Sequence, residues 1–139
     1  MSSPLEGLCT PGGPLHRESP DAKEFVGLLK SGETRLVDAE RASNSLESRF
    51  DLAYNAAHAL CLAALRYAGY RSSKRYIVFQ VLPHTLGLGP EVWRVLDRAH
   101  TDRNRSQYEG DLSVDERLLA DLINACKTVQ ASLRKLPPL

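Results

Sequence analysis

NSLESRFDLAYNAAHALCLAALRYAG, residues 44–69, is the stretch whose reading decides the fold. Leu46, Phe50, Ala53, Tyr54, Ala57, Cys61, Ala64, Leu65 and Ala68 recur at steps of three and four, the period of a helix that buries one stripe. Asn44 and Glu47 stand at capping-box spacing at its start, and Gly69 supplies the stop. It is the longest and most apolar element, which places it at the centre of a helical protein.

Outward from this segment the same period recurs. Ser19, Pro20 and Asp21 have the order of an N-cap, a first-turn proline and a first-turn acid, opening a helix with Phe25, Leu28 and Leu29 that Gly32 ends. A second segment over about residues 33–43 carries Leu36, Val37 and Ala39. After a loop at Tyr70 to Ser73, residues 74–82 hold the β-prone Tyr76, Ile77, Val78, Phe79 and Val81. They are read as helix, because a lone strand has no partner in a helical chain, with Pro83 kinking or ending it near His84. Pro90 and Glu91 open a helix with Val92, Trp93, Leu96 and Ala99 that runs to about Tyr108, before Gly110. Ser113 and Glu116 form a second capping box, followed by a stripe of Val114, Leu118, Leu122, Cys126, Val129 and Leu133. The expectation is an all-α antiparallel bundle of four to five helices, one domain over residues 20–136 with a short tail, 137–139. Residues 1–19, rich in proline and glycine, are expected to be a mobile arm, of which residues 1–18 are not needed for folding.

Composition narrows the function classes. A chain of 139 residues, 42% hydrophobic and 25% charged, fits one globular domain. With 18 Lys plus Arg against 17 Asp plus Glu, the net charge of +1 gives no global attraction to nucleic acid or anionic lipid, so any such affinity must come from a local patch. No apolar run approaches the ~20 residues of a spanning helix, and the N-terminus lacks a leader pattern, so a cytoplasmic protein without membrane contact is expected. Cys9, Cys61 and Cys126 are odd in number and unpaired in spacing, which fits a reducing compartment, with Cys61 and Cys126 on apolar stripes as core residues. His16, His58, His84 and His100 include no ligand pair at helical spacing, and no glycine loop ends in Lys-Ser or Lys-Thr; no metal and no cofactor are expected.

Three groups of residues carry candidate chemistry. His100, Arg103, Asn104, Gln107 and Tyr108 put a polar stripe where an apolar one belongs. It is either a solvated helix end or a phosphate site in which Arg103 offers a forked cation, Asn104 an amide, and His100 a base better matched to neutral pH than Tyr108. Arg66, Tyr70, Arg71, Lys74 and Arg75, with Tyr67 and Tyr76 interleaved, have a composition suited to RNA, although Arg66 and Tyr67 also suit an ordinary helix C-terminus. Arg49, Tyr54, Asn55 and His58 share one helix and form either a buried polar network, the favoured reading, or the far wall of the Arg103 site.

Two segments, Arg49-Phe50-Asp51-Leu52-Ala53-Tyr54-Asn55-Ala56-Ala57-His58 and Arg103-Asn104-Arg105-Ser106-Gln107-Tyr108, together resemble the HEPN superfamily of higher-eukaryote and prokaryote nucleotide-binding helical domains, over about residues 21–135. The second is similar to that family's signature of an arginine, a polar residue and, four to six positions on, a histidine. Arg103 and Asn104 match, whereas Tyr108 stands where the histidine belongs and no histidine follows His100. The family includes metal-independent toxin ribonucleases, partners of small nucleotidyltransferases and inactive binding scaffolds. The resemblance therefore implies an RNA- or nucleotide-phosphate-binding protein of a toxin–antitoxin or defence system, paired as a homodimer and working with a cognate antitoxin or nucleotidyltransferase. In a ribonuclease of this kind the ribose 2′-hydroxyl attacks the adjacent phosphate while Arg103 stabilises the developing charge, with Tyr108 in place of the motif histidine and His100 as candidate base. Arg49, Asp51, Tyr54 and His58 would wall the site. The reading from a different class is a non-catalytic helical scaffold that binds a protein partner.

Overall fold

The computed structural model describes residues 4–109 and 115–139, with the side chains of the first stretch described as far as Arg105. The elements in order are α1 (Pro4–Gly7), β1 (Leu15–Arg17), α2 (Ala22–Ala39), α3 (Leu46–Tyr67), β2 (Tyr70–Ser72), α4 (Ile77–Gln80), α5 (Leu82–Thr85), α6 (Pro90–Glu109) and α7 (Glu116–Arg134). The described chain is thus mostly helical, with one small sheet. No helix among the described residues is long and apolar enough to cross a membrane.

The central position of α3 follows from its sequence. It packs against α2 on one side and α7 on another, and Phe50, Tyr54, Leu60 and Leu65 are buried along it. Its cap is Ser45 rather than Asn44, the hydroxyl accepting from the Ser48 amide at 3.1 Å. At the other end Gly69 takes φ of 94°, a conformation that removes it from the helix at little steric cost.

The α2 helix corrects the expected stop at Gly32. Asp21, not Ser19, caps its start, its carboxylate accepting from the amides of Lys23 and Glu24 at 2.8 and 3.1 Å. The helix then continues through Gly32 to Ala39, absorbing the segment read as separate. Gly32 is there for closeness: a Cβ at this position would lie 2.7 Å from Leu60 Cδ2 and 3.3 Å from Ala56 O on α3. Gly32→Ala should therefore destabilise by about 1 kcal/mol net, since overpacking of roughly 1–3 kcal/mol exceeds the helix-propensity gain of about 1. Gly27→Ala, with open space around its Cβ position, should stabilise by about 0.5–1 kcal/mol. Urea titration of the two variants checks the contrast, and equal shifts would remove the close-approach argument.

The N-terminal arm is not the irregular segment that its prolines and glycines suggest. Leu15, His16 and Arg17 pair antiparallel with Ser72, Arg71 and Tyr70, so the loop expected at Tyr70 to Ser73 is largely a strand. Leu5 and Leu15 are buried against the helical core. A three-residue ladder is marginal alone. Side chains hold it: Glu6 accepts from both Arg17 and the Tyr70 hydroxyl, and Ser73 N donates to Pro14 O at 3.1 Å. At the far end of the chain the Tyr67 hydroxyl donates to Pro137 O at 2.9 Å, tying down the start of the tail.

Of residues 74–82, read as one helix, 74–76 form a bend and turn and the rest is helical as two single turns that meet at Val81, the second running on to Thr85 with Pro83 in its first turn instead of ending it. Phe79 and Leu82 from them are fully buried. Helix α6 reaches Glu109. The cap of α7 is Asp115, which accepts from Leu118 N at 2.6 Å, instead of Ser113. Gly110 and Ser113 lie outside the described residues.

Candidate functional site

Helix periodicity sets the site. On α3, Tyr54 and His58 lie one turn apart; on α6, His100, Arg103 and Asn104 take spacings of three and four and so share a face. The two faces meet across Phe79 of α4. Tyr54, His58 and His100 all pack against that ring, with centroids 6.0, 6.3 and 6.2 Å away. The segment between β2 and α4 adds Arg75 and Tyr76, the latter tilted against His100.

A hydrogen-bonded line runs through the middle. His100 Nδ1 lies 2.7 Å from the Tyr54 hydroxyl, and Asn104 Nδ2 lies 3.1 Å from His100 Nε2. With the Asn104 amide donating, Nε2 is the acceptor and Nδ1 carries the ring proton toward Tyr54; this tautomer is assigned from the amide orientation.

Two guanidinium groups stand against the same phenol ring, Arg103 Cζ at 4.6 Å and Arg75 Cζ at 5.8 Å from the Tyr54 centroid. Among the described residues neither has a carboxylate partner, and Arg103 Nε is buried without a hydrogen bond. The ring faces compensate part of that cost. Arg75 is exposed and Arg103 half-buried, so two like charges lie at the edge of a fully buried tyrosine where an anion could join them.

The same charges set the protonation of the imidazoles. Burial, reinforced by Arg75, His100 and Arg103, pushes His58 down to about 4. Burial also lowers His100; Arg103 and Arg75 add to it while Asp97 pulls the other way. Burial raises the Tyr54 hydroxyl, against the pull of both arginines. Both histidines are consequently neutral at pH 7 and Tyr54 is protonated.

The structure brings together His100, Arg103, Asn104, Tyr54, His58 and Arg75. It separates Arg49 and Asp51 from them. Tyr108 belongs to α6, but its side chain lies outside the described residues. Arg49 donates to Ala39 O at 2.7 Å, closing the C-terminal end of α2, and Asp51 is exposed with its carbonyl accepting from Asn55, so neither walls the Arg103 site.

The basic stretch read as RNA-binding is mostly a clasp. Arg66 is 2% exposed and donates to the Glu24 carboxylate and to three carbonyls, Glu18 O at 2.8, Ser19 O at 2.7 and Tyr70 O at 3.1 Å. Arg71 bridges Glu18 and Glu24 at 2.6 and 2.7 Å, and hydrogen bonds from it hold both carboxylates below their ordinary range. Tyr70 is buried with its hydroxyl on Glu6. Arg66, Tyr70 and Arg71 are thus spent on holding the arm, and only Lys74 and Arg75 of the stretch remain for a ligand.

Sequence spacing placed His100 beside Arg103 but missed Arg75 as their neighbour, since it arrives from a turn and no periodicity reports a turn. Among the described residues no group of three or more His, Cys, Asp or Glu is placed to hold a metal ion. No family model, curated protein or solved structure matches the chain, so the chemistry of this cluster carries the functional argument.

Proposed function

We propose that the chain is a HEPN-like antiparallel helical bundle that binds RNA or a nucleotide through its phosphate at Arg103 and Arg75, as the cytoplasmic, homodimeric component of a toxin–antitoxin or defence system. The observation that carries this reading is the pair of guanidiniums converging on Tyr54 without a carboxylate among the described residues. A phosphate supplies the missing charge and accepts from forked donors in a way a carboxylate-paired arginine cannot offer.

In the ribonuclease form of this reading, the 2′-hydroxyl attacks the neighbouring phosphate and displaces the 5′-oxygen, leaving a 2′,3′-cyclic phosphate; Arg103 meets the charge that builds, a neutral imidazole takes the 2′-hydroxyl proton, and the departing 5′-oxygen is protonated from solvent. His100 is neutral, but its one lone pair already accepts from Asn104, so it becomes a base only once that amide turns to the ligand. Binding is therefore the property to measure first.

Arg103→Ala should weaken binding of adenosine monophosphate or a short RNA tenfold or more, from the ~1.5–3 kcal/mol of a charge-assisted hydrogen bond, while the melting temperature holds. Calorimetric titration reads both. If wild type binds neither probe, or the variant binds as well as wild type, the phosphate reading falls and the protein-binding scaffold replaces it.

A further inference from the structure

Beside the Tyr54 cluster, Arg75 and His58 together form a ridge with a cleft on each side. One cleft, about 170 Å³, is completed by Leu62, Val78, Ser72, Ser73 and Lys74, along with the already paired Arg71. The other, also about 170 Å³, is completed by Leu28, Ala59, Ser31, Arg35 and Asn55. Among the described residues no acidic one lines either cleft.

The volumes limit the ligand. Pockets that enclose a whole small molecule run to roughly 300–1,000 Å³, so neither cleft takes a complete nucleotide. Each has the same three-part make-up: an aliphatic floor (Leu62 with Val78, or Leu28 with Ala59), serine (Ser72 and Ser73, or Ser31, whose hydroxyl accepts from Arg35), and a rim cation that pairs with no carboxylate among the described residues (Lys74 or Arg35). Repeated small sites on either side of a shared cation suit a ligand that itself repeats, an apolar face followed by an anion.

Resting on the phosphate reading above, we propose that the ligand is a single-stranded oligonucleotide that crosses the Arg75–His58 ridge, with successive bases on the two aliphatic floors and flanking phosphates at Lys74 and Arg35. Arg103 holds the phosphate nearest Tyr54. Stacking is not required, since the floors are aliphatic; affinity comes from phosphate contacts and burial of the base faces.

The test compares adenosine monophosphate, tetra-adenylate and inorganic tetraphosphate as probes of the full chain by fluorescence or calorimetric titration at several salt concentrations. Tetra-adenylate should bind at least tenfold tighter than the mononucleotide and with a steeper dependence on log salt. Arg35→Ala and Lys74→Ala, both at exposed positions, should each flatten that slope by about 0.7 and lower the ratio of tetra-adenylate to mononucleotide affinity severalfold. Arg103→Ala should weaken both nucleotide probes. If the mononucleotide binds in an Arg103-dependent manner but length adds nothing, or the two rim variants leave the ratio unchanged, the extended path is wrong and the phosphate site stands. If tetraphosphate competes as well as tetra-adenylate, the floors do not read bases and the oligonucleotide assignment is overturned. If no probe binds, both readings fall together.

Discussion

Replacing Arg66 by alanine is expected to lower the unfolding free energy by about 3 kcal/mol, the low end of what breaking a buried ion pair costs, because the guanidinium is buried while Glu18 and Glu24 are 44% and 33% exposed and keep Arg71. The guanidinium sits on the last turn of α3 and reaches the arm, the start of α2 and β2 at once, through Glu18 O, Ser19 O, Glu24 and Tyr70 O. Its loss strands the carbonyls of Glu18 and Ser19 and takes one donor from Tyr70 O, and each stranded acceptor costs on the order of 1–3 kcal/mol. The loss also leaves Glu18 and Glu24 to Arg71 alone. Arg66→Lys should recover only part, since an ammonium keeps the charge but not the fork that spans several acceptors. Arg71→Ala is the contrasting control: its side chain is about one-third exposed and it donates to no backbone, so screening leaves it worth about 1 kcal/mol or less. Urea denaturation of the three variants checks the order. Should Arg66→Ala fall within 1 kcal/mol of wild type, the clasp does not hold the arm, and the arm is attached by Leu5 and Leu15 instead.

The clasp also shows where sequence reasoning ends. The periods of α3 and α7 were legible because each buries a continuous stripe, and a stripe is a local pattern. Gly69 was legible as a stop because its φ of 94° belongs to the turn itself, a local requirement. Gly32 was not: a glycine that ends a helix and one that lets another helix approach look identical until Leu60 is known to face it. The sheet was hidden for a related reason. Leu15-His16-Arg17 has a single apolar residue, and its stability comes from Glu6, Tyr70 and Pro14, contacts that composition does not encode. At the site, the spacing of His100, Arg103 and Asn104 was a helix-face statement and could be read from α6 alone. The bond from His100 to Tyr54 joins residues 46 positions apart, and the approach of Arg75 depends on how β2 turns into α4.

Stability should fall by about 3 kcal/mol as pH drops from about 6.5 to 4, ahead of any loss from carboxylates. His58 is held at about 4 in the folded chain against 6.5 ordinarily, so the unfolded chain binds its proton first and gains stability from it through that window. Below pH 4 the folded state takes up the proton as well, and the penalty levels off. His100 acts in the same direction with its own lowered value. Glu6, held at about 2 chiefly by Arg17, and Glu18 and Glu24, lowered chiefly by Arg71, stabilise above the ordinary carboxylate range and lose that contribution only as pH falls below it. Two windows should therefore be visible in urea midpoints measured from pH 7 to 3. His58→Gln should flatten the upper one, and Glu18→Gln should leave it in place. Phosphate gives the measurement its functional edge. An anion seated between Arg75 and Arg103 offsets the repulsion that helps hold His58 neutral, so a saturating nucleotide should shift the upper window toward lower slope and should bind more tightly at pH 5.5 than at 7.5. A flat profile between pH 6.5 and 4.5 would mean that His58 is already open to water, and the ridge it forms with Arg75 would then be a surface feature rather than a wall of the site.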